Sequence, residues 1–314
     1  MKALVVGYGS MGKRHTENLL RLPMIDRVFV HTDAVVGPDN ERVERIGSLE
    51  DVSADLAVIA NETAEHLDTA LFLSERRMHL FIEKPISLSL DGIEGLRQNV
   101  EKNRLKVSVG YNMRFLGAIQ YIKNLIERHV LGELYFARIE AGQWLPLWRP
   151  ERDFRNTYSA HKKRGGGVSL DLSHEVDYMR YLFGSPLRWK TLKTPIPSLG
   201  IDADAVFEGI YEFRRGFIAN VHMDYLLKEK RRRIMIEGSE GQLTADLAAR
   251  QIIIKTHDLE EKIIDTRLFD MDRTYLAEMT DFVSSLGNGK PPFVTLVDGI
   301  EALRLLEDGH VQGQ

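Results

Sequence analysis

Short apolar runs alternate with mixed stretches through the first third of the chain. Residues 2–6 (KALVV), 27–31 (RVFVH), 55–60 (DLAVIA), 79–83 (HLFIE) and 106–111 (KVSVGY) read as strands, and 11–22, 63–77 and 89–102 as the helices between them. Runs that are nearly apolar throughout, separated by helices, predict a parallel sheet with crossover connections. The character changes after about residue 130. Strands then dominate, at 133–141, 188–195, 205–213, 217–225, 232–237 and 250–255. The pair 205–213 and 217–225 flanks Arg214–Gly216, a short glycine-containing hairpin turn. Helices are expected at 174–184, 274–287 and 296–307. This half therefore predicts a largely antiparallel sheet with few helices. Residues 142–164 form the longest irregular stretch, and long loops inside compact domains are often functional.

The chain has 314 residues, which suggests two domains at roughly 100–200 residues each. The change of pattern puts the boundary between 114 and 115: a dinucleotide-binding domain over 1–114, then a substrate and oligomerisation domain over 115–314, whose last helix near 296–307 packs back on the first. Forty-two basic against 46 acidic residues leave a formal charge of −4, so nothing suggests a nucleic-acid partner. The basic run Lys228–Arg233 includes Glu229 and reads as a solvated face. The chain has no cysteine, which excludes disulfide and thiolate chemistry. No run approaches the roughly 18 apolar residues of a membrane span. The opening MKALVV breaks at Gly7, too early for a signal peptide. A cytoplasmic protein is expected, with no membrane partner.

The first motif is Gly7-Tyr8-Gly9-Ser10-Met11-Gly12, a GxGxxG directly between a strand and a helix. Gly7 permits a tight turn, Gly9 lets backbone approach a pyrophosphate, and Gly12 lets helix and strand pack closely. The phosphates then meet free N–H groups at the helix N-terminus. The ribose-reading residue should lie about 20 positions on, at His31-Thr32-Asp33. Asp33 would accept from both ribose hydroxyls and favours NAD. Thr32 at that position would tolerate either cofactor, so NAD is expected with NADP as the alternative.

The second motif is Glu83-Lys84-Pro85, at the carboxyl end of a strand, where open α/β sheets bind ligands. A partly desolvated lysine beside a cationic nicotinamide gives up its proton more readily and can serve as general acid and base. The plain alternative is an exposed lysine paired with Glu83. The third is GGGVSLDLSHEVD at 165–177, where Asp171, His174 and Asp177 follow three glycines. A metal is not expected there. Residues three apart share a helix face, but a six-residue step does not.

Taken in order, GYGSMGKRH (7–15), IANETAEH (59–66), EKP (83–85), GYNMRF (110–115), GGGVSLDLSHEVD (165–177), IEGSEGQL (236–243) and Asp298-Gly299 resemble the glucose–fructose oxidoreductase/inositol dehydrogenase/MocA family over nearly the whole chain. The resemblance implies an α/β fold: a Rossmann doubly wound parallel sheet plus a C-terminal α/β domain with a large, mostly antiparallel open sheet. It implies a homodimer or homotetramer built on the outer face of that sheet, a nicotinamide cofactor, and a sugar, inositol or related polyol substrate. Lys84 takes the family's catalytic lysine role, and Asp171 and His174 match its Asp and His after the glycines. Asn112 and Arg114 fall where the family lines the nicotinamide and substrate pocket, and Asn61, Thr63 and His66 in the loop facing the cofactor. Two departures stand out. Residues 61–63 read Asn-Glu-Thr where Thr-Pro-Asn is usual. Asp171 and His174 are three apart where four is usual. The second is expected to be absorbed on a loop before the helix begins, with Ser173 as its N-cap. The DLSHE pattern resembles a branch associated with surface-polysaccharide and nucleotide-sugar metabolism.

The loop before the glycines carries Arg149, Arg152, Arg155, Lys162, Lys163 and Arg164, with Trp144, Trp148 and Tyr158 interleaved. Arginine suits bidentate binding of phosphate or carboxylate, and aromatic faces suit sugars. Arg149, Arg155 and Tyr158 are the expected contacts of an anionic sugar. The competing reading is a solvated or subunit-contact loop. For the whole chain, a hydride-transferring enzyme competes with a non-catalytic dinucleotide- and sugar-sensing regulator on the same fold, and with an NAD-dependent glycoside-cleaving relative. Intact Lys84, Asp171 and His174 favour the enzyme.

Overall fold

The computed structural model describes residues 1–34, 40–257 and 260–310. The chain folds as two compact units. The first is Met1–Asn112 with Asp272–Ile300, and the second Met113–Met271 with the chain from Glu301 onward.

The first unit begins β1 (Lys2–Val6), α1 (Ser10–Arg21), β2 (Arg27–His31), β3 (Val43–Ile46), β4 (Leu56–Ile59), α2 (Thr63–Glu75), β5 (His79–Ile82), α3 (Ile93–Asn103) and β6 (Val107–Val109). All pairings are parallel, in the order β3-β2-β1-β4-β5-β6. Strand order reverses between β1 and β4, the place where doubly wound sheets take a ligand beyond the strands' carboxyl ends. β4 is buried at every position, and β1 at every position after Lys2, as strands covered on both faces must be.

The second unit contains α4 (Gly117–Glu127), β7 (Leu134–Gly142), α5 (Val168–Asp171), α6 (His174–Phe183), β8 (Arg188–Thr194), β9 (Val206–Glu212), β10 (Ile218–Asp224), β11 (Arg231–Gly238), β12 (Gly241–Asp246), β13 (Gln251–Thr256) and β14 (Glu260–Ile263). The chain then runs through α7 (Met271–Asn288), α8 (Leu296–Arg304) and the two-residue β15 (Gly309–His310). From α7, Met279, Phe282 and Val283 join Val5, Val58 and Phe81 in the core of the first unit. The sheet of the second unit has the order β14-β13-β12-β11-β7-β10-β9-β8-β15, antiparallel except for β7 with β10. The expected hairpin is present: β9 and β10 pair across Arg214–Gly216, where Arg215 and Gly216 take positive φ. The second half is richer in helix than expected. α4 buries Ala118, Ile119, Ile122 and Leu125 as one stripe and packs on α6.

Along β9 and β10, Phe207, Tyr211, Ala219, Val221 and Met223 point inward and are buried. The alternate residues form the outer face, where His222 bridges two acids. Its Nδ1 lies 2.6 Å from Glu208 and its Nε2 3.2 Å from Asp224. The Asp224 hydrogen bond leads in raising the His222 pKa to about 9, opposed by burial and helped by Glu208. The folded value is above the ordinary 6.5, so this stabilisation is complete below that pH and is lost as pH rises through about 9. His222→Gln is therefore expected to lower the urea midpoint near neutral pH. The gap from wild type should close above about pH 9, and a pH-independent gap would refute the assignment.

Candidate active site

The glycine loop of the first unit does three separate jobs. Gly7 has φ +88°, and a Cβ there would lie 2.6 Å from the Ala60 carbonyl oxygen. A Cβ on Gly12 would lie 2.0 Å from the Gly7 carbonyl oxygen, so α1 can start only because both positions are bare. Gly9 faces open space, with nothing within 4 Å of its Cβ position. Gly9 is also the N-cap of α1 and offers no side-chain cap, which leaves the helix's first N–H groups for an anion. Tyr8 lies in the turn, and Ser10 and Met11 open α1. These residues fit a dinucleotide pyrophosphate. At the end of β2, Thr32 accepts the Ala34 N–H on its hydroxyl at 3.1 Å, and Asp33 is exposed. The Thr32 carbonyl accepts from Arg45 Nε at 2.9 Å. The β2–β3 pairing thus brings a guanidinium to the ribose-reading position that the linear sequence does not show.

Glu83, Lys84 and Pro85 follow β5, and the Lys84–Pro85 bond is cis. The buried Glu83 carboxylate accepts the Lys84 N–H at 3.2 Å and lies 2.6 Å from His15 Nε2. Burial opposes its ionised form. The His15 contact, with Lys84 and His66, more than offsets this, and its pKa falls below the usual carboxylate value. His66 is also buried. Its Nδ1 lies 2.8 Å from the Pro85 carbonyl oxygen and its Nε2 3.3 Å from that of Asn61. Burial lowers its pKa. With both ring nitrogens against backbone, His66 ties the turns after β4 and β5 together. Asn61 donates to Glu65 and Thr69, both at 3.0 Å, while its Oδ1 is buried without a hydrogen bond. Thr63 opens α2. Asn112 donates to Thr274 Oγ1 at 2.7 Å.

In the second unit the glycine triplet serves the protein's own chain. A Cβ on Gly166 would lie 2.3 Å from the Tyr158 carbonyl oxygen, and one on Gly167 2.3 Å from Asp204 Oδ1. The Gly167 N–H donates to the Ser159 carbonyl, and the Asp171 N–H to the Gly167 carbonyl. The triplet thereby joins the 142–164 loop to α5. Asp171 ends α5, a single helical turn rather than a loop. Its Oδ2 accepts the Tyr225 hydroxyl at 2.5 Å, and its carboxylate also accepts that of Tyr158. Asp171's charge and then burial push the Tyr158 phenol up; for Tyr225 burial leads. Tyr158 is thus engaged with Asp171, while Arg149 lies exposed over its ring at 5.8 Å. His174 opens α6 and is half-buried. Ser173 holds the N-cap position but does not cap: its Oγ is buried and without a hydrogen bond.

Two expectations for side chains change. Arg114 is buried and bidentate to Asp177, with Nη2 to Oδ1 at 2.6 Å, so its guanidinium anchors α6 instead of lining a pocket. That pairing also removes Asp177 from any metal trio with Asp171 and His174. Arg155 is exposed, 3.4 Å from Asp153 and against the Phe154 ring. The basic run divides: Lys228, Glu229 and Lys230 are exposed as a solvated face requires, while the three arginines are ion-paired, Arg231 with Glu140, Arg232 with the buried Glu175, and Arg233 with Asp246, at 2.9, 2.6 and 2.6 Å. Tyr225 and His15 join these clusters although no motif or spacing marks either as a site residue. His15 stands within the quoted GYGSMGKRH, while Tyr225 carried no local signal.

Residues 1–111 match the family model "Oxidoreductase family, NAD-binding Rossmann fold", and residues 119–244 the "GFO/IDH/MocA C-terminal domain". The chain belongs to the Gfo/Idh/MocA oxidoreductases. It is 25% identical to myo-inositol 2-dehydrogenase of Thermotoga maritima, over 97% of this chain and 94% of that protein. It is 24% identical to the NAD(+)-dependent scyllo-inositol 2-dehydrogenase of Bacillus subtilis, over 95% and 90%. Its fold is that of the WlbA dehydrogenase from Bordetella pertussis, solved with NADH and UDP-GlcNAcA, at TM-score 0.84 and 17% identity over 98% of this chain and 93% of that one. A levoglucosan dehydrogenase solved with NADH and levoglucosan aligns over 100% of both chains at TM-score 0.83 and 16% identity. No described helix is long and apolar enough to cross a membrane.

The glycine geometry separates binding from folding in this Gfo/Idh/MocA chain. Gly9→Ala should leave the unfolding free energy unchanged within about 0.5 kcal/mol, yet weaken NAD binding about tenfold or more. Gly12→Ala should lose about 1–3 kcal/mol of stability and cofactor binding together. Calorimetric titration with NAD beside urea melts checks both. Equal stability losses would contradict the open position of Gly9.

Proposed function

We propose that the protein is an NAD-dependent dehydrogenase or reductase of a sugar, nucleotide sugar or polyol, with Lys84 as its general acid and base. The carrying observation is Lys84 at the carboxyl end of β5, its backbone N–H held by the Glu83 carboxylate, in the unit whose glycine loop leaves Gly9 open. Bound nicotinamide supplies the hydride acceptor or donor. In oxidation, the substrate C–H leaves as hydride while Lys84 Nζ takes the proton from the hydroxyl on that carbon. In reduction, Lys84 returns it. His174 orients the reacting hydroxyl. Asp171, fixed by Tyr158 and Tyr225, holds a neighbouring one. NAD is favoured by Asp33, while Arg45 beside Thr32 supports some use of NADP.

An anionic sugar is supported by the exposed Arg149 above Tyr158, with Arg155 as the outer contact. The WlbA neighbour was solved with a nucleotide-linked sugar acid. A homodimer or homotetramer is supported by the apolar residues exposed on the outer sheet face, among them Leu192, Ile210 and Ile218.

Lys84→Met should lower kcat by about 10²–10⁴-fold with NAD affinity within about threefold, read by nicotinamide absorbance with a panel of inositols, sugars and nucleotide sugars. Tight NAD binding without turnover of any member would instead favour a regulator. Arg149→Ala and Arg155→Ala should raise the KM for a nucleotide-linked sugar acid more than that for a neutral sugar, and unchanged values for both would remove the anionic substrate.

A further inference from the structure

The first unit buries a cluster of ionisable groups around Glu83, two of which, His15 and Glu278, have no role in the proposed chemistry. His15 from α1, Glu83 after β5 and Glu278 from α7 bring ligand-type atoms within 4.8 Å of one another, all of them buried. The His15 ring stands edge-on to Phe81 at 5.0 Å, and Phe81 lies 5.8 Å from Phe282, so the surroundings are apolar. Glu278 is only 1% exposed, and both its carboxyl oxygens are buried without a hydrogen bond. Glu83 already has His15 Nε2 on one oxygen at 2.6 Å and the Lys84 N–H on the other at 3.2 Å.

A shared cation fits this geometry poorly. Two ligands on one tetrahedral ion with bonds near 2.0 Å sit about 3.3 Å apart, whereas His15 and Glu83 are 2.6 Å apart, a hydrogen-bond distance. Two ionised carboxylates side by side in an apolar core repel, and each loses its hydration. A single proton on one of them removes the repulsion and one of the two desolvation costs. Burial favours the neutral form of both, but at Glu83 it is outweighed by His15, Lys84 and His66, whereas at Glu278 burial and then Glu83 act in the same direction.

We propose that Glu278 is held as the neutral carboxylic acid packed beside the His15–Glu83 pair, which makes it a positioning residue for Glu83 and, through the Glu83–Lys84 backbone hydrogen bond, for Lys84. The positioning part rests on Lys84 being the acid–base group; the protonation part does not. Burial holds the Glu278 proton in the folded chain at pH values where the unfolded chain has shed it. Wild-type stability should therefore fall as pH rises from the ordinary carboxylate range towards the raised folded value.

The test uses the full chain with NAD bound. The infrared difference spectrum of wild type minus Glu278→Gln at neutral pH should show the carbonyl stretch of a protonated carboxylic acid. Glu278→Gln, neutral at every pH, should gain Tm relative to wild type between about pH 5 and pH 8. Glu278→Met, which removes the polar head group, should lower kcat about tenfold with the KM for NAD unchanged, and Glu278→Gln should recover most of that rate. Absence of the infrared band, a Tm difference that ignores pH, a glutamine variant as slow as the methionine one, or one equivalent of bound divalent metal lost in Glu278→Gln would each overturn the proposal. If no sugar is turned over by wild type, the Lys84 reading fails, while the infrared and stability arms still decide the proton's place.

Discussion

A carboxylate taken out of water must find a cation or donor, because an ion left unmet costs several kcal/mol. Three buried acids, Asp171, Glu175 and Asp177, fall within seven residues of α5 and α6, and each is met from a different part of the second unit. Tyr158 and Tyr225 meet Asp171, Arg232 meets Glu175, and Arg114 meets Asp177. These pairings tie the 142–164 loop, the ends of β10 and β11, and the turn before α4 to one helical stretch. The first unit repeats the arrangement on a smaller scale, with His15 meeting Glu83 beneath Lys84. In both units the groups that hold the chain in place are buried ion pairs and hydroxyls. Lys84 and His174 are the side chains they carry.

Glycine makes these close approaches possible. Gly12 lets α1 begin against the Gly7 turn, and Gly166 and Gly167 let the loop carbonyls and Asp204 press against the start of α5. The two clusters nevertheless differ in what they leave open. At Gly9 the missing Cβ faces empty space on a helix N-terminus, which suits a ligand. At Gly166 and Gly167 it faces protein. Glycine density in a sequence shows close approach, but not whether the neighbour is a ligand or the chain itself.

The parallel sheet was legible because its strands are apolar on both faces, and most of the second sheet because its strands are long runs bounded by turns. β3 (VERI) and β14 (EEKI) leave little strand signal because they are end strands with largely exposed side chains, and β12 (GQLTAD) because it has few apolar residues. α4 had a readable stripe at helical spacing, overshadowed by the strands around it. The ion pairs could not be read locally. Arg114 and Asp177 are 63 residues apart, and Arg232 and Glu175 are 57 apart, so only the fold brings them together. Motif position alone suggested that Arg114 faces substrate. Its partner, not its residue type, decides otherwise. Arg45 reaches Thr32 for the same reason, through a strand pairing that linear distance hides.

The short Asp171–His174 spacing follows from this arrangement. Within one continuous helix, a step of three instead of four would rotate His174 by about 100°. The helix is not continuous. The Asp171 and Leu172 N–H groups donate four residues back, to Gly167 and Val168, while those of Ser173 and Glu175 donate only three back, to Leu170 and Leu172. The four-residue pattern resumes at Asp177, which donates to Ser173. The joint at Leu172–Ser173 is therefore wound more tightly than the segments on either side. α5 is fixed from the glycines and tyrosines, and α6 from Arg114 and Arg232. Because the two anchors are independent, the direction of His174 is set by α6 and that of Asp171 by α5. The tight joint between them leaves Ser173 at the N-cap position without its hydroxyl reaching a cap.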